Sequence, residues 1–154
     1  MYNYVLTSAV AGWVVAQIIK TILYLIQHKD FDVERLFGAG GMPSGHTAMV
    51  IGASVGIART EGTNTTIFAV MVILAAIVIY DAMGVRRAAG LHAQELNNIN
   101  AFFAKLLKKA PKEITEGTEE YEYKKLKEYL GHTPLEVLAG AALGVISAFV
   151  FPVK

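Results

Sequence analysis

Cysteine is absent from this 154-residue chain, which excludes disulfides and thiolate metal sites and leaves the redox compartment open. Charge is scarce: 18% of residues are Asp, Glu, Lys or Arg, against about 25% in soluble domains. An excess of either sign is missing too, because the formal net charge is +1, and no nucleic-acid partner is expected of so neutral a chain. The charge that exists is unevenly placed. Lys20 is the one charged side chain among residues 1–28, whereas residues 105–128 carry more than a dozen. Near-neutrality therefore averages a membrane part with a wet part. Internal repeats and low-complexity tracts are also missing.

What the chain has in quantity is apolar sequence, at 54% of residues. Four runs are candidate spans: 4–26, 42–58, 65–82 and 134–151. A helix needs roughly 17–25 residues to cross the hydrocarbon core, so the two middle runs are near the lower limit. The first run is not a signal peptide in pattern, since it has no basic n-region and Lys20 interrupts it. The expected fold is all-α, a single integral-membrane domain over 1–154 with about four transmembrane helices. Alternation of the spans leaves the loop 27–41 and the insertion 83–133 on one face. That face carries eleven Lys and Arg, against Arg59 and Lys154 on the other, with Lys20 set aside. The positive-inside rule then puts it in the cytoplasm. The insertion is patterned: Leu91, Leu96, Ile99, Phe103, Leu106 and Leu107 recur at helical spacing, and lysines follow them. An amphipathic helix on an anionic membrane surface is expected there, ended by Pro111 and Gly117, with a second charged helix over 119–130.

Three polar motifs mark the ends of the apolar runs, and all fall on the cytoplasmic face. Pro43-Ser44-Gly45-His46 opens the second run; Ser44 is a good N-cap, and the free amides of a helix start suit an anion. Asp81 and the pair Arg86-Arg87 follow the third run. Adjacent arginines there serve either as topology anchors or as bidentate phosphate ligands, with Asp81 able to hold one in place. His132 and Glu136 lie at i, i+4 across the start of the last run and share a face, so the carboxylate can orient the ring. A lone His-x-x-x-Glu lacks a third ligand, and neither a metal nor any other cofactor is expected. Lys20, inside the first span, either snorkels to the headgroups or points its cation at an anionic ligand.

Small residues repeat every four positions behind two of these motifs: Ser44, Ala48, Gly52 and Gly56, then Glu136, Gly140, Gly144 and Ala148. Such stripes let membrane helices pack closely. If the two stripes face each other, His46 and His132 meet at the cytoplasmic end.

Together the motifs resemble the type 2 phosphatidic acid phosphatase superfamily, which includes the vanadium haloperoxidases, and more closely its small divergent membrane branch. Pro43-Ser44-Gly45-His46 matches the family's second motif. His132-Thr-Pro-Leu-Glu136 looks like the end of the third, with Glu in place of Asp and its arginine, Arg86 or Arg87, displaced by the insertion. Lys20 stands for the lysine of the first motif, without the usual Arg-Pro partner. The resemblance implies a metal-independent phosphoric monoester hydrolase. His132 would be the nucleophile oriented by Glu136, and His46 the acid for the leaving group. Lys20, Ser44, the Gly45 amide and an arginine would hold the phosphoryl oxygens. A phosphatidate-like, phosphatidylglycerophosphate-like or prenyl diphosphate substrate in a bacterial plasma membrane is the matching expectation, and a homodimer is compatible with so few helices. The alternatives are a non-catalytic membrane protein that keeps the anion site for lipid binding or transport, and a purely structural helix-packing subunit.

Overall fold

The computed structural model describes residues 3–28, 40–109, 125, 126, 128 and 130–153, and every regular element among them is an α-helix. The helices are α1 (Tyr4–His28), α2 (Gly45–Thr60), α3 (Thr66–Met83), α4 (Val85–Lys109) and α5 (Pro134–Val150). Each expected apolar run is a helix, with ends shifted by up to three residues. Two stretches, Tyr4–Ile26 and the compound Thr66–Leu107, are long and apolar enough to cross a membrane, and Pro134–Val150 is apolar but shorter. Part of the expected charged helix at 119–130 lies outside the described residues; Lys125, Leu126, Glu128 and Leu130 are not helical, which corrects its end. The reason is that Leu126 spends its backbone amide and carbonyl on Asn97 of α4 rather than on helical partners.

The starts of α2, α3 and α5 are set by capping. Ser44 accepts from the Thr47 amide, Thr65 from that of Phe68, and Thr133 with Glu136 forms a reciprocal capping box ahead of Pro134. A glycine, Gly84, separates α3 from α4, its amide still bonded to the Tyr80 carbonyl at 2.8 Å. α2 lies at the centre, packed on α1, α5 and α3.

Burial is inverted relative to a water-soluble bundle. The buried set is mostly small or polar, including Ser8, Ala16, Ser44, Thr47, Ala48, Ser54, Ser147 and Ala148 beside Val50, Ile57 and Val137, while Leu6, Ile18, Ile73, Ile77, Ile146 and Phe149 face outward. Large apolar side chains outside and small ones inside is the arrangement a lipid solvent favours, because close backbone approach then supplies the packing. Two buried hydroxyls are satisfied within their own helix: Ser8 donates to the Tyr4 carbonyl and Ser54 to that of Val50.

The two stripes of small residues do face each other. A methyl group at Gly144 would lie 2.6 Å from the Ala48 carbonyl oxygen, and Gly140 sits against Ser44. These pairings make α2 and α5 parallel. α1 runs the other way, since Gly45 lies against Trp13 and Gln17, Gly52 against Ser8, and Gly56 against Val5. The end of α1, the starts of α2 and α5, and the end of α3 therefore share one face. At the opposite end Arg59 donates to the Tyr4 hydroxyl and the Ala148 carbonyl, with its guanidinium 4.5 Å from the Phe149 ring centroid.

Candidate functional site

His132 is the centre of the shared face and is 3% exposed. Its backbone amide donates to the Ala82 carbonyl at 2.9 Å, tying it to the end of α3. The turn before it needs a glycine: Gly131 has φ +79° and lies against the backbone of Arg86 and Arg87, where a side chain would clash. The His132 Nδ1 lies 3.2 Å from Glu136 Oε2, and the same carboxylate oxygen accepts the Thr133 amide at 3.0 Å. The carboxylate is thus fixed by the helix cap and in turn fixes the ring. With Nδ1–H donated to Glu136, the imidazole keeps its lone pair on Nε2. Burial pushes the His132 pKa below its ordinary value; Glu136 opposes this by hydrogen bond and charge, and Lys20 and His46 add to the lowering. A neutral, oriented imidazole is the form that can act as a nucleophile.

Two cavities meet at Gly131 and His132. The larger, about 560 Å³, is lined by Lys20, Arg87, Glu128 and Glu136 among polar groups, with Leu23, Met42 and Leu130 among apolar ones. The smaller, about 230 Å³, is lined by His46, Asp81 and Arg86 beside Ile77, Val78 and Ala82. Arg86 donates from Nε to Asp81, so this arginine is held by the carboxylate that ends α3. Arg87, one residue on, faces the other cavity. Lys20 is 6% exposed, with its stem against Gly41. Its place in the cavity wall is that of a cation turned into the bundle.

The residues singled out in the sequence therefore divide. His132, Glu136, His46, Lys20, Arg86, Arg87 and Asp81 line one or other cavity. Ser44 and Gly45 line neither. The Ser44 hydroxyl is buried and accepts from the Thr47 hydroxyl at 2.9 Å, its amide donates to the Glu136 carbonyl, and Gly45 packs on Trp13. Ser44 joins α2 to α5, and Gly45 seats α2 on α1. Sequence reasoning missed Glu128 and Leu130, which reach the larger cavity because their segment folds back along α4. Their only sequence signal is the small, polar stripe Gly90, Ala93 and Asn97 opposite the apolar face of α4. No group of three or more His, Cys, Asp or Glu side chains that could hold a metal ion occurs among the described residues.

Fold and site define an all-helical membrane protein with an oriented histidine–carboxylate pair between two cavities that carry cations. The chain belongs to the divergent PAP2 family, whose model matches residues 1–147. It is 38% identical over 148 residues to YuiD, an uncharacterised membrane protein of Bacillus subtilis (strain 168), covering 96% of this chain and 93% of that one. No solved structure matches it.

Proposed function

We propose that this protein is a membrane phosphohydrolase that cleaves a lipid-borne phosphate ester through a phosphohistidine. The observation that carries the reading is His132, buried, oriented by Glu136 and placed where a cavity with Lys20 and Arg87 meets one with His46 and Arg86. His132 Nε2 attacks phosphorus as the ester P–O bond breaks, and His46 gives its proton to the departing alkoxide. Water, deprotonated by His46, then attacks phosphorus as the N–P bond breaks, releasing inorganic phosphate with His132 restored. Lys20 and the arginines stabilise the charge that gathers on the phosphoryl oxygens. Neither step calls for a metal.

In this reading α1, α2, α3 and α5 cross the bilayer, with the site at the cytoplasmic face of a bacterial plasma membrane. The apolar walls, Leu23, Met42 and Leu130 on one side and Ile77 and Val78 on the other, suit a phosphatidate-like, phosphatidylglycerophosphate-like or prenyl phosphate substrate. The test is phosphate release by the purified protein from a panel of such lipids without added metal, with acid-quench trapping of a phosphoenzyme. Turnover unchanged in His132→Ala, or none on any lipid, defeats the proposal. A second reading, a non-catalytic anion site used in lipid binding or transport, is favoured by the withdrawal of Ser44 and Gly45 from both cavities. It expects saturable vanadate binding that is lost in Arg87→Ala, with no phosphoenzyme.

A further inference from the structure

α4 carries two faces of opposite character. On one, Gly90, Ala93 and Asn97 are buried; on the other, Leu91, Ile99, Phe102, Phe103 and Leu106 are exposed. At about 100° per residue these groups lie on roughly opposite sides of the helix. The buried side is covered by the segment that leads into His132. Asn97 Nδ2 donates to the Leu126 carbonyl at 2.9 Å and to Glu128 Oε1 at 2.7 Å, and its Oδ1 accepts the Leu126 amide at 2.9 Å. Further back along the helix, a methyl at Gly90 would lie 2.7 Å from both the Glu128 and Leu130 carbonyl oxygens. Gly131 then meets the backbone of Arg87, and the His132 amide reaches Ala82. Among the described residues, Leu126, Glu128, Leu130 and Gly131 form a strap laid against α4 and held at Leu126 and Glu128 by Asn97, which is 5% exposed.

We propose that α4 is a coupling helix: Asn97 on its buried face clasps the strap that ends in His132, while its apolar face seats on an anionic bilayer surface. Two observations select a bilayer as the occupant. α4 continues from α3 after the single break at Gly84, so its apolar face extends a stretch already long and apolar enough to enter a membrane. Lys105 and Lys109, exposed near its end, complement anionic headgroups. Membrane seating of α4 thereby fixes the strap, and the strap fixes His132. Asn97 is a positioning residue; it makes Leu126 behave as a paired strand residue would, although the strap has no sheet to join. That His132 is the group positioned for chemistry rests on the phosphohydrolase reading; the clasp itself does not.

The test uses the full chain in phosphatidylglycerol–phosphatidylcholine vesicles, with a nitroxide on Leu126→Cys, the chain having no native cysteine. The label is expected to be restrained in the parent background and mobile on the nanosecond scale in Asn97→Ala. A label equally restrained in Asn97→Ala overturns the clasp. The double variant Phe102→Ser/Phe103→Ser leaves Asn97 intact and is expected to free the same label; a label still restrained there overturns the coupling, and this arm stands even if Asn97→Ala fails to fold. A nitroxide at Phe102→Cys is expected to be open to oxygen and shielded from a water-soluble nickel chelate, and the reverse overturns bilayer seating. In turnover, Asn97→Ala is expected to lower kcat about 10- to 100-fold with KM within about twofold, the signature of a displaced reacting group. If the parent protein turns nothing over, the phosphohydrolase reading fails while the strap label still decides the clasp.

Discussion

The trio α1, α2 and α5 and the pair α3 and α4 are built on different principles. In the trio, backbones touch through Gly12, Gly52, Gly140 and Gly144, and hydroxyls such as Ser147 bridge helices, donating to the Ser8 carbonyl at 3.0 Å. The pair turns most of its aliphatic and aromatic surface outward, with Ala75 and Ala82 the buried residues of α3. The difference teaches how labour is divided. The trio tolerates almost no added volume and carries the groups whose alignment matters most, His46, His132 with Glu136, and Lys20. The pair brings the arginines to that rigid frame from its flank.

The sharpest way to probe the frame's chemistry without disturbing its packing is Glu136→Gln. Gln preserves the capping box, so α5 should form normally while His132 loses its carboxylate. The expected result is a fall in kcat of about 10²- to 10⁴-fold at unchanged thermal stability. A smaller loss would mean that the carboxylate is structural only.

Gly144→Val should break the trio itself, because its first added carbon already meets the Ala48 carbonyl at 2.6 Å and the Gly52 amide at 2.9 Å. A loss of about 1–3 kcal/mol or more is expected in denaturant titrations in detergent. Ile73→Ala on the outward face of α3 provides the contrast and should fall within about 0.5 kcal/mol. Equal losses at the two sites would erase the distinction between the regions.

Arg87→Lys tests the flank at the site. Replacing a planar fork with a point charge should raise KM and lower kcat/KM about tenfold, less than any change at His132. Arg86→Lys should do the same only if its bond to Asp81 positions it for substrate.

The smallest expected effect is in pH. His132 has a folded pKa below its unfolded value of about 6.5. Its contribution to stability is therefore complete above that value and is lost as pH falls through the window between 6.5 and the folded pKa, where the unfolded chain binds the extra proton. Stability curves of the parent and His132→Gln should converge on acidification through that window. Turnover should decline below about pH 6.5 as the nucleophile protonates, and decline again at higher pH as His46 loses the proton it gives to the leaving group.

The helices were legible because each apolar run is bounded by a cap or a break: Ser44, Thr65 and Thr133 at starts, Gly84 at the join. The meeting of the two small-residue stripes was legible for the same reason, since the four-residue spacing leaves a single helical face on which backbones can approach. The strap was not. Nothing in the sequence says that Leu126 and Glu128 bond to Asn97 rather than join a helix of their own, because the decision lies in hydrogen bonds to a residue some thirty positions away. The two uses open to Ser44 are hard to tell apart in the sequence for a related reason. A cap and an anion ligand use the same hydroxyl, and the order of residues does not show that the Ser44 amide meets the Glu136 carbonyl while its hydroxyl meets that of Thr47.

The parallel pairing of α2 and α5 has an electrostatic consequence. Most neighbouring membrane helices joined by short turns run antiparallel, so that their dipoles oppose and cancel. Here both amino termini end at His46 and His132, and each brings the equivalent of about half a positive charge. In a low-dielectric surround these two ends do not screen one another, and their fields add at the one place where an anion would arrive. The glycines that permit this side-by-side contact thus do more than save space: they gather two positive helix ends beside His132, with the Glu136 carboxylate at the start of α5 offsetting part of that charge.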